Sequence, residues 1–161
     1  MLMISADDKL RVLGRIAALL NGADVTWAVG ASAMLYFNGI VTDFHDIDIM
    51  VTADDAIRAK ELLLTIGTLE PPNQLSKYAT KHFFEFIIDG VEVDIMGGFA
   101  IIQNGQTIDC SLTAGQIASA VSVAGENVPL QSPALWRGYY ALMGREQKVK
   151  LIDDALIGQT K

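Results

Sequence analysis

The stretch DIDIMV, residues 46–51, decides the fold of this chain. Successive side chains of a β-strand point to opposite faces of its sheet. Ile47 and Ile49 therefore share one face, which an apolar core can cover, while Asp46 and Asp48 share the other. The pattern predicts a strand that is buried on one side and presents two carboxylates on the opposite side.

The residues before this stretch predict a strand, a tight turn and a helix. Residues 25–29 form a short apolar run rich in β-branched side chains, and Gly30 ends it. Residues 32–37 then have helical character and stop near Asn38 and Gly39, which are typical of a helix C-terminus. This order places a helix start beside the end of a strand.

A crossover helix is predicted after the stretch, over residues 53–64, with Thr52, Asp54 and Asp55 as its N-terminal cap. Its expected buried stripe consists of Ala56, Ile57, Ala59, Leu62 and Leu63.

A β-hairpin follows, because residues 83–88 and 91–96 are β-rich runs joined by Asp89-Gly90, a strong two-residue turn signal. Asp94 lies in the second of these strands. If this strand neighbours residues 46–51 in the sheet, the three carboxylates converge.

Helices are also expected at both ends of the chain. Apolar residues recur at helical spacing over residues 10–20, and Ser132-Pro133 opens two final helices over residues 135–143 and 147–157. Between them, residues 99–130 predict short strands with one helical turn near residues 113–118. We expect a single domain, residues 1–161, of the α/β (α+β) class, with a mixed β-sheet flanked by helices.

Composition narrows the functional classes. Apolar residues make up 51% of the 161 positions, which excludes a disordered chain, and the net charge of −7 argues against a nucleic-acid partner. No stretch is apolar enough to span a membrane, and a single cysteine, Cys110, favours the reducing cytoplasm. A homodimer is attractive for so small a domain, although no interface pattern identifies one.

Three converging carboxylates predict a metal site. Two carboxylates about 4 Å apart repel by about 4 kcal/mol at an effective dielectric constant of about 20. Either a cation therefore binds between them or one of them keeps its proton. Oxygen ligands favour Mg²⁺ or Mn²⁺, and Mg²⁺ commonly shares its coordination with substrate phosphates. The pattern therefore favours phosphoryl chemistry.

The order of these motifs resembles the nucleotidyltransferase superfamily, whose pattern is a strand ending in Gly-Gly or Gly-Ser, a helix, Asp-x-Asp and a later single Asp. The matching segments here are 29–32 (VGAS), 46–48 (DID) and 93–95 (VDI), and the resemblance spans about residues 24–97. It looks especially like the small stand-alone members, with a nucleotidyltransferase-type fold and C-terminal helices.

The resemblance implies roles for five residues. Asp46, Asp48 and Asp94 would hold the metal, Asp94 would also help to activate an acceptor hydroxyl, and Gly30 and Ser32 would contact a triphosphate. The implied reaction moves a nucleoside monophosphate from a nucleoside triphosphate to a hydroxyl of a small molecule or a protein.

A second interpretation is a catalytically degenerate module that binds a nucleotide or a protein partner without turnover. It is motivated by Ala31, which stands where the pattern has a second Gly or the Ser, and by Phe44-His45 in place of the usual Thr-x.

Other residues allow both a structural and a functional interpretation. Ser32 is either a helix cap or a phosphate contact, and His45 is either a solvated side chain or a partner of phosphate or metal-bound water. A group of basic residues is either a surface turn or a source of positive charge for a triphosphate: Lys77, Lys81 and His82. The aromatic residues of the first C-terminal helix are interpreted as core: Trp136, Tyr139 and Tyr140.

Overall fold

The computed structural model describes residues 4–72 and 79–159. The helices are α1 (Ala6–Gly22), α2 (Ala31–Phe37), α3 (Ala56–Leu63), α4 (Pro133–Leu142) and α5 (Glu146–Gln159). The strands are β1 (Trp27–Gly30), β2 (Ile47–Val51), β3 (Thr68–Leu69), β4 (His82–Ile88), β5 (Val91–Gly97), β6 (Ala100–Gln103), β7 (Gln106–Asp109), β8 (Ser119–Val123) and β9 (Glu126–Leu130). Two short 3-10 turns cover Ala53–Asp55 and Ala114–Gln116.

Seven strands form one mixed sheet in the order β3-β4-β5-β2-β1-β9-β8, and β6 and β7 form a separate pair. Strands β2 and β5 run parallel, as do β1 and β9, while the other neighbours are antiparallel. The predicted mixed sheet with flanking helices is confirmed. Within the described residues, no helix is long and apolar enough to cross a membrane.

One face of the sheet is the hydrophobic core. Ile47, Ile49, Val93 and Ile95 on the two central strands are fully buried there. Helices α1 and α3 contact each other and pack on this face. Burial of so many branched apolar side chains is the main favourable term in folding, at roughly 25 cal/mol per Å² removed from water. The alternation in residues 46–51 therefore sets which face of β2 is covered.

The opposite face carries a row of carboxylates across three strands, and a glycine of a fourth strand is aligned with them. Backbone pairing aligns Gly30 of β1 with Asp48 of β2, Asp48 with Asp94 of β5, and Asp94 with Glu85 of β4. The predicted hairpin generates part of this register, because Asp89 and its neighbouring glycine both have positive φ, as a two-residue primed turn requires. Strand pairing thus brings together carboxylates that are distant in sequence.

Two details of the helix after β2 were predicted wrongly. Thr52 precedes the 3-10 turn but its side chain does not cap it, and α3 begins only at Ala56. The Asp55 carboxylate instead accepts hydrogen bonds from the Thr52 hydroxyl at 3.1 Å and from the Thr26 backbone N–H at 2.9 Å. Ile57, expected in the buried stripe, is 46% exposed, because the buried stripe of α3 is narrower than predicted and consists of Ala56, Ala59 and Leu63.

The turn from β1 into α2 is closely packed. Gly30 is the residue that precedes α2, so the expectation that Ser32 caps this helix is wrong. A Cβ atom at Gly30 would lie 2.6 Å from the Trp136 indole and 2.8 Å from Gln131 Oε1, which accepts the indole N–H at 2.7 Å. Helix α4 therefore approaches the sheet through a contact that only glycine permits. The two expected C-terminal helices are confirmed as α4 and α5.

Substituting Gly30→Ala should lower the free energy of unfolding by about 1 to 3 kcal/mol, because the added methyl group overpacks the Trp136–Gln131 contact. Gly138→Ala is the matched control, because Gly138 is exposed in α4 and a Cβ atom added there would have no neighbour within 4 Å. Alanine at this position should raise the free energy of unfolding by roughly 0.5 to 1 kcal/mol. Urea unfolding of the three proteins checks this. Equal stability of Gly30→Ala and the wild type would contradict the packing described.

Candidate functional site

Three carboxylates meet at the polar face of the sheet. One oxygen of each of Asp46, Asp48 and Asp94 lies within 4.8 Å of the others. Asp48 and Asp94 are direct register partners on the parallel strands β2 and β5, and Asp46 immediately precedes β2. The convergence expected from sequence is therefore present. Among the described residues, this is the one group of three or more His, Cys, Asp and Glu side chains with metal-ligand spacing.

The electrostatics of this cluster disfavour three negative charges. Burial raises the pKa of Asp48 well above its usual value, and the nearby charges of Asp46 and Asp94 raise it further. Burial, followed by the charges of Asp46 and Glu85, raises the pKa of Asp94 to about 7. At neutral pH the cluster therefore retains a proton unless a cation compensates the charge.

The donor set fits a hard divalent cation. All three ligands are carboxylates, which suit Mg²⁺ and Mn²⁺ better than the softer ions that prefer nitrogen or sulfur. Three protein ligands also leave coordination positions for water and for phosphate oxygens.

The carboxylates line a cavity of about 340 Å³ that can accommodate a ligand. Its opposite wall is largely aromatic and comes from α4 and from the segment before β6. The cavity is bounded by Ala31, Ser32, Asp46, Asp48, Phe83, Asp94, Met96, Phe99, Trp136, Tyr140, Met143 and Arg145. The buried Trp136, Tyr139 and Tyr140 are part of the core, as predicted, and two of them also shape the cavity.

Arg145 is a site residue that the sequence did not single out. Its guanidinium group lies 5.2 Å from the centre of the Tyr140 ring, and its charge lowers the pKa of Asp48. Lys148 lies on the same side, and its ammonium group interacts with the charges of Arg145 and Asp46. Within the described residues, neither side chain forms a salt bridge with a carboxylate. No short motif marks these cations, because tertiary folding brings the turn after α4 and the start of α5 to this side of the cluster.

The start of α2 contributes Ala31 and Ser32 to the cavity wall. Burial, and then the charge of Asp48, raises the pKa of Tyr140 to about 12, and a hydrogen bond with the Ser32 hydroxyl acts in the opposite direction. Ala31 has a φ of +53°, a backbone conformation that favours glycine. Gly30 itself lies opposite Asp48 in the sheet register.

Other polar residues considered from the sequence lie away from this cavity. His45 is 83% exposed and its Nε2 lies 2.8 Å from a Glu92 carboxylate oxygen. Lys81 and His82 line a separate cavity with residues 69–72. Lys77 lies outside the described residues.

The negative charge extends from the site along the sheet. Glu70, Glu85 and Glu92 line a second cavity of about 300 Å³, and Asp46 and Asp94 are part of the same wall. Cations therefore border one side of the carboxylate cluster and further carboxylates border the other.

Comparisons with known proteins agree with this architecture. A family model described as aminoglycoside-2''-adenylyltransferase matches residues 12–155. A protein from Thermotoga maritima described as a nucleotidyltransferase is similar in structure, at 26% identity, covering 97% of this chain and 96% of that chain, with a TM-score of 0.74. A search of curated protein sequences gave no significant match.

Two further solved structures share the fold. ANT(2'')-Ia, solved in complex with adenylyl-2''-tobramycin, is 13% identical, with 91% of this chain and 88% of that chain covered and a TM-score of 0.61. The lincosamide antibiotic adenylyltransferase LnuA, solved with lincomycin, is 14% identical, with 89% and 95% covered and a TM-score of 0.58.

The metal-free protein should lose stability as the pH rises from about 4 to 7. Asp94 has its folded pKa near 7, above the unfolded value of 3.8, so its stabilising contribution is complete below the unfolded pKa and is lost as pH approaches the folded pKa. We expect a loss of about 1 to 3 kcal/mol, measured by urea unfolding with a chelator at several pH values.

Asp48→Asn should flatten this pH dependence, because the pKa of Asp48 is itself raised and the substitution removes that contribution, whereas the exposed Asp54→Asn should leave it unchanged. Identical pH profiles for the wild type and Asp48→Asn would show that the carboxylates do not interact as described.

Proposed function

The chain belongs to the aminoglycoside-2''-adenylyltransferase family, and from this membership we propose that it is a metal-dependent nucleotidyltransferase. The observation that carries the proposal is the convergence of three carboxylates from β2, its preceding residue and β5 in one cavity. The reaction would transfer a nucleoside monophosphate from a nucleoside triphosphate to a hydroxyl group. The family's name favours ATP as the donor.

Asp46, Asp48 and Asp94 would hold the divalent ion, Mg²⁺ or Mn²⁺. When bound, such an ion neutralises the carboxylates and the triphosphate and stabilises the departing pyrophosphate. In the transfer, an acceptor oxygen forms a bond to the α-phosphorus as the bond from that phosphorus to the pyrophosphate oxygen breaks. The proton of the acceptor hydroxyl must leave in the same process.

Asp94 is the group we assign to receive that proton. It is half-buried at the cavity wall, and it also faces the second, more acidic cavity. An acceptor lying there would have its hydroxyl between the Asp94 carboxylate and the donor phosphate.

Ser32, Arg145 and Lys148 would bind the triphosphate from the other side. Arg145 is held against the Tyr140 ring, so its guanidinium group is oriented before the nucleotide arrives. Cationic donors form stronger hydrogen bonds to phosphate than neutral donors do. Gly30, beside Asp48, allows α4 to approach closely and complete the wall.

A small, positively charged acceptor fits the acidic cavity best. Glu70, Glu85 and Glu92 extend the negative surface beyond the catalytic carboxylates, and this surface would attract amino groups. A structural relative was solved with the adenylylated product adenylyl-2''-tobramycin, a modified small molecule. We therefore favour a small hydroxyl-bearing molecule over a protein as the acceptor.

A nucleotide-binding module without turnover is the second candidate. The observation that favours it is Ala31, whose φ of +53° is strained for a residue with a side chain, at the turn expected to hold phosphate. Such a module would bind metal and nucleotide but release no pyrophosphate with any acceptor.

Thermal unfolding with Mn²⁺ and each common nucleoside triphosphate tests the metal and nucleotide site. Ligand at about 100 times its dissociation constant stabilises the folded state by about 2.7 kcal/mol, so the wild-type midpoint should rise by several degrees. Asp48→Asn should show no rise, and the exposed control Asp54→Asn should behave as the wild type. Arg145→Met should keep the response to Mn²⁺ but lose most of the added response to nucleotide.

Pyrophosphate release with the stabilising nucleotide and a panel of amino-substituted polyols then separates the two candidates. Turnover that depends on Asp48 supports the transferase. If Mn²⁺ and nucleotide stabilise Asp48→Asn as much as the wild type, the carboxylate site is contradicted for both the transferase and the module without turnover.

A further inference from the structure

Helix α1 contains a lysine whose charged end is buried. Lys9 is 6% exposed, and its ammonium group contacts Asp43 Oδ1 at 3.1 Å and donates a hydrogen bond to the Phe44 backbone carbonyl oxygen. The same ammonium group lies 5.3 Å from the centre of the Phe44 ring. Burial of an ammonium ion is unfavourable unless its hydrogen bonds are satisfied. Here all of its contacts go to two consecutive residues.

These contacts fix one point in an irregular segment. Residues 38–46 connect α2 to β2 and form no helix or strand. Asp43 Oδ1 also accepts the Phe44 backbone N–H at 2.8 Å, and the Phe44 ring, 3% exposed, lies 5.0 Å from the Tyr36 ring. The backbone at residues 43–44 is therefore held by an ion pair, two hydrogen bonds and a buried ring.

Asp46 is the candidate ligand that depends on this segment. The register pairs of β2 with β5 begin at Ile47 and Val93, and they include Asp48 and Asp94. Asp46 precedes the first pair, so it has no register partner in the sheet. The neighbouring ion pair of His45 with Glu92 is largely exposed, and exposed ion pairs contribute little.

We propose that Lys9 is a positioning residue for the metal site: by anchoring residues 43–44, it holds the Asp46 carboxylate within reach of Asp48 and Asp94. Lys9 itself is not among the residues that line the carboxylate cavity. The role toward metal rests on the proposed function, whereas the anchoring of the segment does not.

Hydrogen exchange of the metal-free protein tests the anchoring. In Lys9→Met the Phe44 amide and its neighbours up to Ile47 should exchange about tenfold faster than in the wild type, while the Ile95 amide in β5 stays unchanged. Lys9→Arg should restore part of the protection. Lys150→Met, which removes an exposed lysine paired with Asp154 at 3.8 Å, is the matched control and should change neither region.

Asp43→Ala provides a second variant should Lys9→Met fold poorly, because it removes the exposed partner of the same ion pair. It should also accelerate exchange over residues 45–47; the Phe44 amide is left out for this variant, because Asp43 is its hydrogen-bond acceptor. Unchanged exchange over residues 45–47 in both variants, or equal acceleration there and at Ile95, would overturn the anchoring.

A double-mutant cycle on Mn²⁺ affinity tests the role toward metal. Lys9→Met should weaken binding by about 10- to 100-fold, as is typical when a group that orients a ligand is removed. In an Asp46→Asn background, Lys9→Met should cause no further loss, since Lys9 acts through Asp46. An equal loss in both backgrounds would overturn the positioning role. If the wild type binds no Mn²⁺, the proposed function fails, and the exchange result still decides the anchoring separately.

Discussion

The rest of the structure depends on one constraint, the mutual repulsion of three carboxylates. Their oxygen atoms are held within 4.8 Å of one another at the partly buried wall of a cavity. Left to themselves, these groups would separate or take up protons, and the raised pKa values of Asp48 and Asp94 show the second response. The surrounding fold must therefore hold them in place. In the proposed function, a bound divalent cation would relieve the same repulsion.

Strand register provides most of that restraint. Parallel pairing of β2 with β5 sets Asp48 directly beside Asp94, and the buried isoleucines on the opposite face keep the register from slipping. A slip of β2 by one residue would turn its carboxylates toward the core and its isoleucines away from the core. The same alternation of side chains along β2 therefore forms the core on one face of the sheet and the candidate site on the other. Lys9 anchors the segment of the third carboxylate, which lies beyond the paired residues.

Local patterns were sufficient to predict the elements that local chemistry determines. Alternation in residues 46–51, the Asp89-Gly90 turn and the Ser132-Pro133 helix start all match the structure. Contacts that arise only in the folded chain were not predictable in this way. Arg145 lies in the turn after α4, and only the packing of the folded chain brings it to the cavity. The Thr52 side chain does not cap the turn; its hydroxyl donates to the Asp55 carboxylate, which also accepts the Thr26 backbone N–H, a tertiary contact.

The central claim is that the metal-free carboxylate cluster holds protons that a bound cation displaces. Measuring the protons released on Mn²⁺ binding tests this claim most directly. At pH 6, below the pKa of about 7 for Asp94, and with the pKa of Asp48 also raised, calorimetric titration in buffers of different ionisation enthalpy should show at least about one proton released per ion bound. The release should vanish in Asp48→Asn together with binding. Tight Mn²⁺ binding without proton release at pH 6 would contradict the account of a protonated carboxylate cluster that a cation displaces.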